Sequence, residues 1–205
     1  MIAADLPGSG RSQPQPRYYE PGYYLQDART LLGLLDARGV AAAHLVGFSD
    51  GGEEALLMAA ARPGCALSVV TWGAAGQIVA AGGDLAALAQ AIDHPSEALL
   101  PLAAYLADAY GAETARIMTG TWARAMRGIV DAGGDISRTQ AAAITCPALL
   151  ITGTHDEFCP PDLVREMADA MPRGQFLEAE GAGHAVHQWN STWLASRVLT
   201  WLSDH

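Results

Sequence analysis

Hydrophobic positions along this chain fall into short apolar runs, which are separated by longer segments with helical spacing. The runs that predict strands are Ile2–Leu6, His44–Phe48, Leu67–Trp72, Ala148–Thr152 and Gln175–Glu178. Short apolar runs bounded by turn residues are typical of strands buried on both faces of a sheet. Because helical segments lie between them, the pattern predicts an α/β fold in which helices cover both faces of a mostly parallel sheet.

Start and stop signals bound the helices that flank these strands. Helices are predicted at residues 25–38, at Gly51–Arg62 and from Asn190 or Ser191 towards the C-terminus. Glu53 and Glu54 lie in the first turn of the second helix, where the helix dipole favours acidic side chains, and Pro63 stops it. The second predicted strand is therefore followed by a sharp turn and then a helix.

A helical insertion is predicted between the third and fourth strands, where roughly 60 residues carry no strand signal. Apolar residues recur at helical spacing at Leu99, Leu102, Leu106 and Tyr110, and again at Met118, Trp122, Met126 and Ile129. We expect one domain over residues 1–205 with a helical cap inserted at about 75–137. Glycine-rich connectors at both ends of the insertion are the kind of hinge that lets a lid move.

Composition and charge narrow the range of partners. The chain of 205 residues has 12 basic residues, all of them Arg, against 22 acidic ones, and its formal net charge is −10. Such a surface is a poor match for nucleic acid or an anionic membrane. Membrane-span and signal-peptide patterns are absent from the sequence, and the cysteines are an odd number at wide spacing: Cys65, Cys146 and Cys159. We expect reduced thiols and a cytoplasmic location.

Three residues at the ends of predicted strands could form a catalytic triad. Gly47–Gly51 matches the nucleophile-elbow pattern G-x-S-x-G, and Ser49 lies between a strand and a helix as that pattern requires. Asp156 follows the fourth strand and His184 follows the fifth. The order Ser, acid, His is the one expected of the elbow, and the carboxyl ends of parallel strands meet at one edge. The sequence predicts Ser49 as nucleophile, Asp156 as acid and His184 as base.

Asp50, directly after the predicted nucleophile, has two interpretations. Its backbone N–H is placed to donate to an oxyanion, and its carboxylate could extend along a substrate pocket. Alternatively, the same carboxylate could cap the following helix. A metal centre is disfavoured, because His155, Asp156 and Cys159 lie close in sequence without a second pair of ligands at zinc spacing. No cofactor or metal is expected.

The chain resembles the α/β-hydrolase superfamily and, more closely, the valacyclovir hydrolase group, also called biphenyl-hydrolase-like proteins. The matching segments are Asp5–Ser12, Ser49–Gly52, Thr71–Ala74, Cys146–Leu150 and His184–His187. An acidic residue directly after the serine, followed by two glycines, is the feature most specific to the group. The resemblance implies the same roles for Ser49, Asp156 and His184, and it implies activity on α-amino-acid esters.

The N-terminal part of the chain departs from the superfamily pattern. Superfamily members have three further strands before the position of Ile2, and a His-Gly loop after the third supplies half of the oxyanion hole. This sequence has no His-Gly dipeptide. We expect an N-terminally truncated version of the fold, compatible with a start inside a longer reading frame. Either Ile2–Leu6 pairs directly with His44–Phe48, or one sheet edge stays open and a homo-oligomer could form through that edge or the cap.

The predicted function is hydrolysis of small carboxylic esters through an acyl-enzyme on Ser49. One alternative is a carbon–carbon bond hydrolase that acts on a vinylogous diketone with the same triad and fold. Another is a truncated, inactive α/β fragment that survives as a binding or interaction protein. Enzymes of this fold with an Asp nucleophile are disfavoured, because Ser49 stands at that position.

Overall fold

A computed structural model describes residues 1–79 and 85–205 and divides the chain into two compact units. One unit comprises Met1–Tyr23 and Gly83–Gly133, and the other comprises Tyr24–Gly82 and Gly134–His205. The helices in chain order are α1 (Tyr23–Ala37), α2 (Asp50–Ala61), α3 (Leu85–Ala89), α4 (Leu100–Tyr110), α5 (Ala112–Asp131), α6 (Pro161–Asp169), α7 (Val186–Trp189) and α8 (Ser191–Asp204).

The larger unit is built on a four-stranded parallel sheet. Its strands are β1 (Ala43–Phe48), β2 (Ala66–Trp72), β3 (Ala148–Gly153) and β4 (Gly174–Ala179), in the spatial order β1-β2-β3-β4. Every residue of β3 is buried, as expected of a central strand covered on both faces. The predicted α/β fold is confirmed, and four of the five predicted strands are present.

Helices cover the two faces of this sheet. On one face α2 packs against β1 and β2, and α6 packs against β3 and β4. On the other face α8 joins a buried apolar cluster, whose members are Val70, Leu149, Ile151, Ala179, Ala182, Val186, Leu194 and Trp201. Asn190 caps α8 by accepting a hydrogen bond from the N–H of Trp193 at 2.9 Å, as its sequence position predicts. Burial of these apolar side chains holds the strand ends, and the site residues on them, in place.

The predicted strand Ile2–Leu6 is wrong, because these residues are neither helix nor strand. Its last two residues, Asp5 and Leu6, bond to the turn that follows them. The carboxylate of Asp5 accepts the N–H of Arg11 at 2.9 Å, and the Asp5 carbonyl accepts the hydroxyl of Ser12 at 2.8 Å. The carbonyl of Leu6 accepts the N–H of Ser9 at 2.8 Å. The end of this segment is therefore part of a local turn and not of a strand.

Strand β1 lies at an edge of the sheet. Within residues 1–79 and 85–205 it pairs on one side only, with β2. On the face that carries Val70, the side chain of Val46 remains 45% exposed. An open edge of this kind is the condition under which we expected self-association, and that association stays a prediction.

The smaller unit contains α3, α4 and α5, of which α3 and α4 both pack against α5. It contains a partly open cavity of about 200 Å³, lined by Tyr19, Leu88, Leu102, Leu106, Met118, Thr119 and Trp122. The lining contains one threonine, Thr119. Its hydroxyl donates to the carbonyl of Ala115 at 3.0 Å, so this polar group is satisfied within α5. The cavity wall is therefore almost entirely apolar.

Two connecting segments, one between β2 and α3 and the other between α5 and β3, join these helices to the strands. The N–H of Ile78 donates to the carbonyl of Gly134 at 2.8 Å, and the carbonyl of Gly76 accepts the N–H groups of residues 136–138 at 2.9–3.0 Å. Residues 80–84, which belong to the predicted insertion at about 75–137, lie outside the described residues. None of the helices in the described ranges combines the length and hydrophobicity that crossing a lipid bilayer requires.

Candidate active site

Ser49 occupies the sharp turn between β1 and α2. Its backbone has φ 53° and ψ −122°, and among the described residues it is the one non-glycine residue with positive φ. Such strain is typical of a functional turn. A side chain on Gly47 would overlap the carbonyl oxygen of Gly51, which explains the first glycine of the G-x-S-x-G pattern. The Ser49 N–H donates to the Trp72 carbonyl at 2.9 Å, so the turn is anchored to β2.

Asp156 lies in the turn after β3 and is 3% exposed. Its Oδ1 atom accepts the N–H groups of Phe158 at 3.0 Å and Cys159 at 2.9 Å. These two bonds orient the carboxylate and compensate for the loss of hydration on burial. A short turn closed by its own aspartate thus presents a buried, acceptor-rich carboxylate at the carboxyl end of β3.

His184 brings the other two residues together. Its Nδ1 atom lies 3.0 Å from both carboxylate oxygens of Asp156, and its Nε2 atom lies 3.0 Å from the Oγ atom of Ser49. A carboxylate that accepts the Nδ1 proton leaves Nε2 as an acceptor facing the serine hydroxyl. The three residues selected from the sequence are therefore joined in one hydrogen-bonded row, which can activate a hydroxyl nucleophile.

Close packing restricts the orientation of the His184 ring. The rings of Phe48 and Phe158 each lie 5.1 Å from it, centroid to centroid. Gly73 has φ +67°, and a Cβ atom there would lie only 2.8 Å from Cε1 of His184. His187 is held apart from the row: its Nδ1 accepts the indole N–H of Trp72 at 3.1 Å, so its role here is packing.

Asp50 is the first residue of α2, and its carboxylate bonds to a side chain of α1. Its Oδ1 atom accepts the hydroxyl of Tyr24 at 2.7 Å. Tyr24 itself is 4% exposed, so the bond ties a nearly buried phenol to the residue that follows Ser49. The sequence analysis missed Tyr24, because no local pattern relates a residue of α1 to one that lies 26 positions later in the chain.

Glu53 was predicted as a dipole-compensating residue on the first turn of α2, but the structure shows it 4% exposed in a network. Its Oε1 atom accepts the N–H groups of Ala75 at 3.0 Å and Gly76 at 2.7 Å, and its Oε2 atom accepts the Ser137 hydroxyl at 2.6 Å. Burial raises the pKa of Glu53 to about 7 against the lowering effect of these hydrogen bonds, and the charge of Asp50 raises it further. Glu53 thus links α2 to both connecting segments.

A buried thiol lies beside the triad. Cys159 is 9% exposed, and burial raises the pKa of this thiol well above its ordinary value, with further increases from Asp156, Glu53 and Asp50. One ligand atom from each of Asp156, Cys159 and His184 lies within 4.8 Å of the others. The sequence had suggested His155 as the neighbour of Asp156 and Cys159, but tertiary structure brings His184 to that position.

Sequence comparison gives the family context of this geometry. A profile of the alpha/beta hydrolase family matches residues 1–195. The chain belongs to the alpha/beta hydrolase family. Serine hydrolase BPHL of Homo sapiens is 28% identical over 167 residues, which cover 78% of this chain and 54% of that protein. The corresponding protein of Mus musculus is also 28% identical, over 162 residues. This alpha/beta hydrolase chain thus spans about half the length of the curated relatives it matches.

Solved structures support the fold. A serine hydrolase from Cycloclasticus zankles superposes with a TM-score of 0.73 at 20% identity, covering 97% of this chain and 77% of the other. A 2-hydroxy-6-oxo-6-phenylhexa-2,4-dienoate hydrolase from Rhodococcus gives a TM-score of 0.76 at 17% identity, with coverages of 95% and 76%. At these identities the likeness shows the fold alone. Together with the family match, it confirms the superfamily assignment made from the sequence.

Proposed function

We propose that this alpha/beta hydrolase is a serine hydrolase of small carboxylic esters that works through an acyl-enzyme. The observation that carries the proposal is the row of two 3.0 Å contacts, from Ser49 Oγ to His184 Nε2 and from His184 Nδ1 to Asp156. A serine hydroxyl is a weak nucleophile without a base, and this row supplies one. The serine hydrolase relatives at 28% identity support the same reaction class.

Each residue of the row has one task in this mechanism. Ser49 attacks the ester carbonyl while His184 accepts its proton at Nε2 and then passes that proton to the leaving alcohol. Asp156 holds the ring in the required tautomer and stabilises the imidazolium. Water, activated by His184, then attacks the acyl group and releases Ser49. The backbone N–H of Asp50 belongs to the first turn of α2, where N–H groups have no partner within the helix, and it donates to the oxyanion.

Covalent labelling tests this proposal. We expect a fluorophosphonate to add one phosphonyl group to Ser49, detected by the mass increase of the intact protein and of the Ser49 peptide. Ser49→Ala should remove the labelling, and His184→Ala should slow it by orders of magnitude because the base is lost. Folding of both variants is checked by circular dichroism.

The same experiment discriminates between the alternatives. If the wild-type chain takes up no label, hydrolysis by Ser49 is contradicted and an inactive binding protein is favoured. If Ser49 is labelled but simple esters are not hydrolysed while a vinylogous diketone is cleaved, the carbon–carbon hydrolase is favoured instead.

The position of Asp50 supports α-amino-acid esters as the substrate class. In such an ester the ammonium group lies within a few bonds of the carbonyl that Ser49 would attack. A carboxylate about 4 Å from this cation contributes about 1 kcal/mol when solvated and about 4 kcal/mol at an effective dielectric near 20. The 2.7 Å bond from Tyr24 engages Oδ1 of Asp50. The support for recognition of a substrate cation is the position of this acidic residue directly after Ser49.

Asp50→Asn is expected to lower the preference for amino esters at least several-fold, because it removes the charge and keeps both the backbone N–H and an acceptor for Tyr24. The measured quantity is kcat/KM for an α-amino ester divided by kcat/KM for its des-amino analogue. Tyr24→Phe is the matched control, since it breaks the same 2.7 Å contact but leaves the charge. Equal losses on both substrates in Asp50→Asn would assign Asp50 a structural role.

A further inference from the structure

We propose that Asp156, Cys159 and His184 bind one thiophilic divalent cation, for which Zn²⁺ has the matching ligand preference, and that the bound cation switches off Ser49. The inhibitory part of this inference rests on the proposed function of the triad, whereas the binding part rests on the cluster alone. Carboxylate, thiol and imidazole are the three side-chain ligands that zinc prefers. A sulfur ligand favours zinc or cadmium over magnesium or calcium, which take oxygen ligands.

The distances are close to those of a zinc site. Zinc bonds of about 2.0–2.3 Å in tetrahedral geometry separate neighbouring ligand atoms by about 3.3–3.8 Å. His184 Nδ1 and the Asp156 oxygens, 3.0 Å apart, are already near this separation. All three ligand atoms lie within 4.8 Å of one another, so closure needs a sulfur movement of about 1 Å. The backbone bonds of Cys159 to Asp156 and Thr152 hold the main chain in place while the side chain rotates.

The cluster contacts solvent through its histidine. The Asp156 side chain is fully buried, whereas the His184 side chain is 22% exposed. Cys159 would lose its thiol proton to solvent when the sulfur–metal bond forms. With three protein ligands, the fourth coordination position is left to water. In the described part of the chain, no other group of three His, Cys, Asp or Glu side chains meets this closely.

Occupancy would change the chemistry of the base. Nδ1 is the ring nitrogen that faces Asp156, so it is the nitrogen that takes the cation. A neutral imidazole ligated through Nδ1 carries its proton on Nε2. Nε2 then faces the Ser49 hydroxyl across 3.0 Å as a donor, and it cannot accept the serine proton. The three residues would keep their positions, but His184 would no longer act as a general base.

Cadmium binding to the full chain tests the site independently of catalysis. Ser49→Ala is titrated with CdCl2, and the ultraviolet charge-transfer band of the thiolate–cadmium bond is recorded. We expect saturation at one equivalent, loss of the band on further substitution Cys159→Ala, and retention of the band with Cys65→Ala or Cys146→Ala. Those two buried control cysteines precede β2 and β3, at the opposite end of the sheet from the triad. Absence of the band, or its survival in Cys159→Ala, would overturn the inference.

Labelling of Ser49 tests the consequence. ZnCl2 should slow fluorophosphonate labelling of the wild-type chain at least tenfold, reversibly on addition of a chelator, and the ratio of rates without and with zinc should fall to near one in Cys159→Ala. Equal slowing in both proteins would show that zinc acts elsewhere and would overturn the inference. If Ser49 takes up no label even without metal, the proposed hydrolase function fails, while the cadmium band still decides the binding site.

Discussion

Asp156→Asn is expected to lower kcat for an ester by about four orders of magnitude while leaving the fold intact, the size of effect seen when the acid of a serine protease triad is made an amide. The Asn oxygen can still accept the N–H groups of Phe158 and Cys159, so the turn after β3 is preserved. However, an amide NH2 facing His184 Nδ1 favours the tautomer with its proton on Nε2, which cannot deprotonate Ser49. The measurement is steady-state hydrolysis of an activated ester, with thermal unfolding to check the fold.

Asp135→Asn is the matched control for this variant. Asp135 also closes a short turn, because its carboxylate accepts the N–H of Thr139 at 3.1 Å and the Thr139 hydroxyl at 2.7 Å. It makes no contact with a histidine among its hydrogen bonds in the described structure, so its amide variant should retain kcat. A loss of less than tenfold in Asp156→Asn would argue that Asp156 does not orient His184 in the reaction.

Glu53→Gln is expected to flatten the pH dependence of the unfolding free energy. Burial raises the pKa of Glu53 in the folded chain to about 7 from an ordinary value of 4.5. The folded state therefore holds this proton more tightly, and the stabilisation is complete below about pH 4.5 and is lost as the pH rises through 7. A difference of this size corresponds to as much as about 3 kcal/mol. Glutamine resembles the protonated carboxyl and does not titrate, so the variant should lack this contribution.

Urea unfolding at several pH values between about 4.5 and 8 measures the effect as the difference between wild type and Glu53→Gln. Wild type should lose up to about 3 kcal/mol more than the variant over this range. Glu166→Gln is the control, because Glu166 is an exposed residue in a 3.4 Å ion pair with Arg138, and surface pairs of this kind contribute little. Parallel curves for wild type and Glu53→Gln would show that Glu53 ionises at its ordinary pH.

Much of the larger unit could be predicted from sequence, because its signals are local. Alternating strand and helix patterns predicted the parallel sheet, and the Asn190 cap signal predicted the start of α8. Ser49, Asp156 and His184 could be selected because each follows a strand, and parallel strands bring their carboxyl ends to one edge. The error at Ile2–Leu6 has a physical reason: a strand depends on an available partner, and the carbonyls of Asp5 and Leu6 bond to their own turn.

Only the tertiary structure decided the contacts between residues that lie far apart in the chain. It decided that Glu53 is buried against Ser137, 84 positions away, and that the carboxylate of Asp50 accepts the hydroxyl of Tyr24. It also decided that His184, and not His155, joins Asp156 beside Cys159. Periodicity predicts which face of an element is buried, but it does not predict which polar group of a neighbouring element that face will contact. That pairing is determined by the packing of whole elements against one another, and it sets the pKa of Glu53 and the surroundings of the triad.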